Sequence, residues 1–392
     1  MLEQLGKFGL KHCGLSTMIW NVAALLRVLA LNIESHYNKG IPIPYYMVTY
    51  LTGACFFSVY LVNLCWFVFV RCRQTGDLVA GMVVLSLGTS SNIGTIKLFN
   101  MFLYIKEIKK ITDGYLKCDA NTIAGSRYEG NLLKMLRVIK KRAMVYWMIL
   151  VFNGVLYLLK PLVYPGRNLP ENYLVIYGLE PMFETPNYEI AFAMMAGGVI
   201  FGTYAPACVT AYLIVIAGYT ESQLLALSNE IVSVWPDAVK KAEDELETAD
   251  IDKYENRNII NKHVEIILKD LELFKIGIAM GFFLLIFGLL TELLGKLENT
   301  YLQMPFAIMQ VGMDCFVGQK LMDACTTFER AVYKCRWENY NAGNMKMVLV
   351  MLQSSQKTMT LSAGGMATLS FQCMMSIIRG IYSAYTALRS TI

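Results

Sequence analysis

The chain has 392 residues, of which 55% are apolar and 17% charged, with a formal net charge of +5 and a mean hydropathy of +0.43. Soluble chains average about 25% charged and roughly 45–50% apolar residues, so this balance excludes an ordinary soluble enzyme. The small net charge sits in short loops and offers nucleic acid no basic face. The first 30 residues lack the order of basic start, apolar stretch and small-residue cleavage site that marks a signal peptide.

In chain order, residues 1–44 form a cytosolic or interfacial N-terminal segment, too polar to span. Within it Met18 to Leu31 is apolar but broken by Asn21 and Arg27. It reads as a helix lying on the inner leaflet, with Arg27 snorkelling. A span needs about 20 mostly apolar residues, and seven stretches qualify. The first four, within residues 45–220, are Tyr45–Val70, Leu78–Ile105 with the single charge Lys97, Ala143–Tyr164 and the uncharged Ile190–Thr220. The next two, within 276–319, are centred on Ile276–Thr291 and Thr300–Gln319, the latter interrupted by Asp314. The seventh, in segment 358–392, is Thr358–Leu388, interrupted by Arg379. The expected fold is an all-α membrane protein of seven transmembrane helices.

An odd number of spans puts the termini on opposite faces. With the N-terminus inside, 26 basic residues fall in inner segments, against Arg71, Arg73, Lys160, Arg167 and Lys296 outside. The positive-inside rule therefore places the N-terminus in the cytosol and the C-terminus outside, opposite to a G-protein-coupled receptor. Only Cys72 lies in an outer loop, and no cysteine lies between Cys118 and Cys208. The long loop 165–189 therefore cannot be stapled to the third span.

The charged stretch 221–275 is helical at its ends. Leu224, Leu227, Ile231 and Val234 recur at helical spacing, as do Val264, Ile267, Leu271 and Phe274, with Pro236 and the acidic run Glu243–Glu247 as the turn between them. In segment 320–357, Met322, Cys325, Phe328 and Val332 make another stripe, and Met347, Val350 and Met351 a further one. Such amphipathic helices below the membrane pack either on each other or on other subunits; the pattern alone leaves both open.

Catalytic chemistry is missing. There is no HExxH, GxSxG, P-loop or dinucleotide fingerprint, the three histidines are scattered and no cysteines pair as CxxC. No enzyme activity, cofactor or structural zinc is expected. Gly197–Gly198 and Gly364–Gly365 suit close helix packing, and no inverted repeat supports a transporter. Tyr45, Tyr46, Tyr50 and Tyr60 suit membrane interfaces and packing. Met194, Met195, Met304 and Met309, in the outer halves of spans four and six, either fill the core or supply an adaptable apolar wall.

The last hundred residues carry a specific resemblance. Leu361-Ser362-Ala363-Gly364-Gly365, Leu369-Ser370, Ile377-Ile378-Arg379 and Tyr382-Ser383-Ala384-Tyr385-Thr386-Ala387-Leu388 follow one another in order. Upstream stand Gly318-Gln319-Lys320-Leu321 and Tyr333-Lys334-Cys335-Arg336-Trp337. This ending resembles that of the insect odorant receptor family, whose inverted topology also agrees. The TYxxxxxQF ending of gustatory receptors is absent. Segment 221–275 lacks the large insertion of the odorant co-receptor, which favours a ligand-tuning subunit. The loop carrying Pro181, Pro186 and Tyr188 resembles that of moth receptors.

The resemblance implies a ligand-gated, non-selective cation channel in the plasma membrane of an olfactory dendrite. It also implies a heterotetramer with the co-receptor, joined through cytosolic anchor helices. A volatile apolar odorant or pheromone would bind in the outer half of the helix bundle and open a pore lined by the seventh helices. Outer-half depth and alignment to family pocket positions nominate Leu87, Ser91, Gly154, Tyr157, Met195, Val199, Phe306, Met309 and Gln310. Tyr157 and Gln310 are the candidates for orienting hydrogen bonds. Gly380, Ala384, Ala387 and Thr391 form one stripe of small residues, either a pore face or a helix contact. Asp314 replaces the Tyr or Phe that many family members have there, and Gln319 replaces an Asn. Asp314 and Arg379 lie about 21 and 18 Å below the outer helix ends at the helical rise. They are expected either to pair and bias gating or to snorkel separately. The competing readings are a seven-helix metabotropic receptor acting through G proteins and a non-sensory membrane scaffold.

Overall fold

A computed structural model describes residues 8–35, 40–76, 78–163, 165–172, 174–244, 300–340, 342–363 and 367–389. The described chain is helical apart from one short hairpin. Helix α1 is Leu15–Val28. Helix α2 covers Ile43–Thr75 and contains two wider π-helical stretches, Ser58–Asn63 and Phe67–Arg71. Next come α3 (Leu78–Leu103), α4 (Ile105–Ala120), α5 (Arg127–Val163) and α6 (Asn187–Asp244). After them come α7 (Thr300–Tyr333), α8 (Ala342–Ser355), strands β1 (Ser362–Ala363) and β2 (Ala367–Thr368), and α9 (Phe371–Arg389). Among the described residues, α2, α5 and α6 are each long and apolar enough to cross a membrane.

Helix α6 is the axis of the bundle: α5, α7, α2, α3 and α1 all pack against it. Its 58 residues correspond to about 87 Å of helix. It runs through Pro206 and continues through Pro236 to Asp244, so no turn forms at Pro236. Small side chains let its neighbours close in: Ala205, Ala207 and Ala211 are buried. A Cβ at Gly198 would lie 2.6 Å from the Tyr60 ring, which bears out the close-packing reading of Gly197–Gly198. The extension beyond the expected membrane edge stays in the core at Leu224 and Ile231.

Two elements differ from the sequence reading. The apolar face of helix α1 is turned to protein: Leu15, Met18, Ile19, Val22 and Leu26 are buried, and the helix packs against α6, α2 and α4. Arg27 is buried and ion-paired with Glu34. The amphipathic face meets protein helices. The seventh helix begins at Phe371, not at Thr358. The preceding apolar residues pair as an antiparallel hairpin, Ser362 opposite Thr368 and Ala363 opposite Ala367, continued by Leu369 N–H donating to the Leu361 carbonyl at 2.7 Å. The fifth expected span, the second stripe from Val264 to Phe274, Gly364–Gly365 and Thr391 lie outside the described residues.

The hairpin is locked to α7. A Cβ on Gly318 would collide with the carbonyl oxygen of Leu369. Gln319 Oε1 accepts a hydrogen bond from the Phe371 N–H at 3.1 Å, and Ser370 Oγ accepts one from the Cys373 N–H at 3.2 Å. The first N–H groups of a helix lack intrahelical partners. Two side chains satisfy them here, one from each end of the motif noted in the sequence.

Candidate ligand site

The nominated residues come from helices that meet on α6, and those with described side chains turn inward. Met195 and Val199, one turn apart on α6, are buried, as are Tyr157 on α5 and Phe306 and Gln310 on α7. Met309 packs partly buried against the same core. Gly154 marks a close crossing, since a Cβ there would stand 2.6 Å from Thr203 Oγ1 on α6. Ser91 is half-buried on α3, and Leu87 lies one turn before it.

Polar atoms in this interior stand out. The Tyr157 hydroxyl, both amide atoms of Gln310, the Tyr60 hydroxyl and Thr95 Oγ1 are buried without a hydrogen-bond partner among the described residues. A buried polar group left unpaired costs about 1–3 kcal/mol. Tyr157 and Gln310 are the two residues nominated for orienting hydrogen bonds. Tyr60, read from the sequence as suiting an interface or packing, is buried against Phe56 with ring centroids 5.5 Å apart.

The loop between α5 and α6 closes this end of the bundle. Leu169, Leu174, Ile176 and Met182 are buried in the common core. The wide π turn of α2 presents Asn63, whose Nδ2 donates to the Val175 carbonyl at 2.9 Å and whose Oδ1 accepts from the Tyr177 N–H at 2.8 Å. Arg71 ion-pairs with Glu180. Three ties therefore hold the loop as a cover. Hydropathy did not single out Asn63; its position inside an apolar span was the available signal.

One turn along α7 from Gln310 lies Asp314. Its partner is Lys97 of α3, with Lys97 Nζ 2.5 Å from Asp314 Oδ2, and both side chains are buried. Arg379 is exposed on α9 and does not meet Asp314, whose Oδ1 has no hydrogen-bond partner among the described residues. Of the two alternatives read from the sequence, Asp314 follows neither: it does not pair with Arg379 and does not snorkel, but pairs with Lys97 across α3 and α7. Of the small-residue stripe, Gly380, Ala384 and Ala387 lie on α9.

A family model described as 7tm Odorant receptor matches residues 77–382. The chain belongs to the insect odorant receptor family. It is therefore a multi-pass membrane receptor of that family and not an enzyme. Among solved structures it is similar to the olfactory receptor OR5 of Machilis hrabei, with a TM-score of 0.72 at 13% identity, covering 94% of this chain and 97% of that one. The OR5 complex with eugenol gives the same TM-score and identity, over 96% and 99%. At this identity the likeness speaks for the fold. Curated protein sequences yield no match.

Proposed function

We propose that this odorant receptor is the ligand-tuning subunit of an odorant-gated, non-selective cation channel, assembled with co-receptor subunits around a pore lined by α9. The ligand binds among α3, α5, α6 and α7 beneath the α5–α6 loop. The observation that carries this reading is the interior itself. Met195, Val199, Phe306 and Met309 give an apolar, adaptable wall, and Tyr157 and Gln310 carry buried polar atoms that no described residue satisfies. A small volatile molecule with one polar group fits that composition. The complex of OR5 with eugenol supports the same class of ligand.

Binding would reach the pore along α7. Its outer part carries Phe306 and Gln310, its middle the Lys97–Asp314 pair, and its lower part Gly318 and Gln319, which hold the start of α9. A shift of α7 caused by ligand would thus move the foot of the pore helix.

The orientation that belongs to this reading has the N-terminus in the cytosol and the C-terminus outside. The test is an epitope tag after Ile392 on intact cells. Staining without permeabilisation is the expected result. Staining only after permeabilisation would overturn the channel reading and favour a metabotropic receptor.

A further inference from the structure

A cavity of about 270 Å³, lined by none of the nominated ligand residues, lies between α1, α5 and α6. Its wall includes Met18 and Val22 of α1, Met144, Trp147 and Met148 of α5 and Ala211 of α6. Fixed polar contacts tie the residues before α1 to α5 and the C-terminal part of α1 to α6. The Lys140 amine donates to the Gly9 and His12 carbonyls at 2.8 and 2.6 Å, and the Tyr204 hydroxyl donates to the Leu25 carbonyl at 3.1 Å. The space is therefore a gap kept open by its frame. Its mouth faces outward, because Met148 is 50% exposed.

One stripe of α5 runs through both the cavity and the charged region beyond it. Lys134, Arg137, Lys141, Met144 and Met148 follow at spacings of three, four, three and four, which places them on one helix face. The three basic residues are exposed, and the two methionines line the cavity. The step from Lys141 to Met148 is about 10 Å of helix. An occupant matched to this stripe has an anionic head and an apolar chain, joined on that length scale.

We infer that the cavity holds one acyl chain of an anionic phospholipid from the cytosolic leaflet, with its headgroup on Arg137 and Lys141. The basic side chains select charge. The methionines adapt to an irregular chain. Lys140 shapes the cavity through the backbone of residues 9–12 and does not serve the headgroup. The lipid would wedge α1 against α5 and α6, apart from the odorant pocket.

The test uses the full chain in nanodiscs of phosphatidylcholine containing a trace of phosphatidylserine with a diazirine at mid-chain. Irradiation followed by peptide mapping should place the label on Met144–Met148 and Met18–Leu25. A phosphatidylcholine probe with the same chain should label these peptides less. Arg137→Gln or Lys141→Gln should each cut the phosphatidylserine label about fivefold, as expected from roughly 1 kcal/mol per basic side chain at an anionic surface. Met148→Trp, at the half-exposed mouth, should block entry, and Ala211→Phe should fill the cavity. Equal labelling by both probes would overturn the inference. So would label spread evenly onto the lipid-facing Phe152 and Leu159 of the same helix, or label unchanged by Met148→Trp. The readout is lipid and not current, so it stands or falls separately from the channel reading.

Discussion

Lys97 and Asp314, 217 residues apart in sequence, meet in the interior of the bundle with Nζ and Oδ2 2.5 Å apart and both side chains almost fully buried. Removing one member leaves the other charge buried and uncompensated, which costs about 3–5 kcal/mol, whereas replacing both with apolar residues is often neutral. Asp314→Leu or Lys97→Met alone should therefore lose surface expression and lower the Tm of the purified protein. The double variant should recover both. A double variant as poor as either single would show that the pair is not a coupled unit.

Helix α3 approaches α6 at Gly94, where an added Cβ would stand 2.5 Å from the Pro206 ring. A proline ring has no rotamer to give way. Gly94→Ala should be destabilising by about 1–3 kcal/mol through overpacking, visible as a lower Tm. Gly312→Ala is the control, since its Cβ would meet only Met374 Sδ at 3.8 Å. Equal melting of the two variants would contradict this packing.

Gln319 replaces the Asn expected in its motif yet still accepts the Phe371 N–H. Losing a helix cap costs about 1 kcal/mol. Gln319→Leu should leave surface expression intact and shift the odorant concentration–response curve, because α9 loses a tie to α7. An unshifted curve at equal expression would remove Gln319 from the gating route.

On α9, a cysteine at Ala387 should react with a water-borne thiol reagent and change the current of the open channel. Unmodified current in a channel that opens normally would make the stripe of Gly380, Ala384 and Ala387 a helix contact.

The long helices were legible because a run of 20 apolar residues has few other solutions. The motif residues Gly318 and Gln319 were legible as a pattern, although their contact with Leu369 and Phe371 was not. Other features depend on what a helix face meets. Periodicity shows that α1 has an apolar face but does not distinguish lipid from protein, so its burial against α6 was missed. Apolar content ran continuously from Leu361 into α9, which hid the short hairpin of β1 and β2. The partner of Asp314 was sought in the adjacent span, because sequence gives no distance across 217 residues. Lys97, the single charge of the second span, was the overlooked signal. In the candidate ligand site, the burial of Met195, Val199, Tyr157 and Gln310 agrees with the inward positions nominated from depth and alignment. The burial of Tyr60 was not legible, because a tyrosine near a span looks the same at an interface as in a core.

The central claim is that an odorant bound in this interior opens a cation channel. Its most direct test is current from cells co-expressing this chain with a co-receptor, challenged with an odorant panel, for the parent and for Met195→Ala, Phe306→Ala and Gln310→Leu. The account predicts odorant-evoked cation current in the presence of G-protein blockade, with altered ligand order for Met195→Ala and Phe306→Ala. Gln310→Leu should lose responses to hydroxyl-bearing odorants more than to hydrocarbons of the same skeleton. Current abolished by G-protein blockade, or an unchanged ligand order in all three variants at equal surface expression, would contradict it.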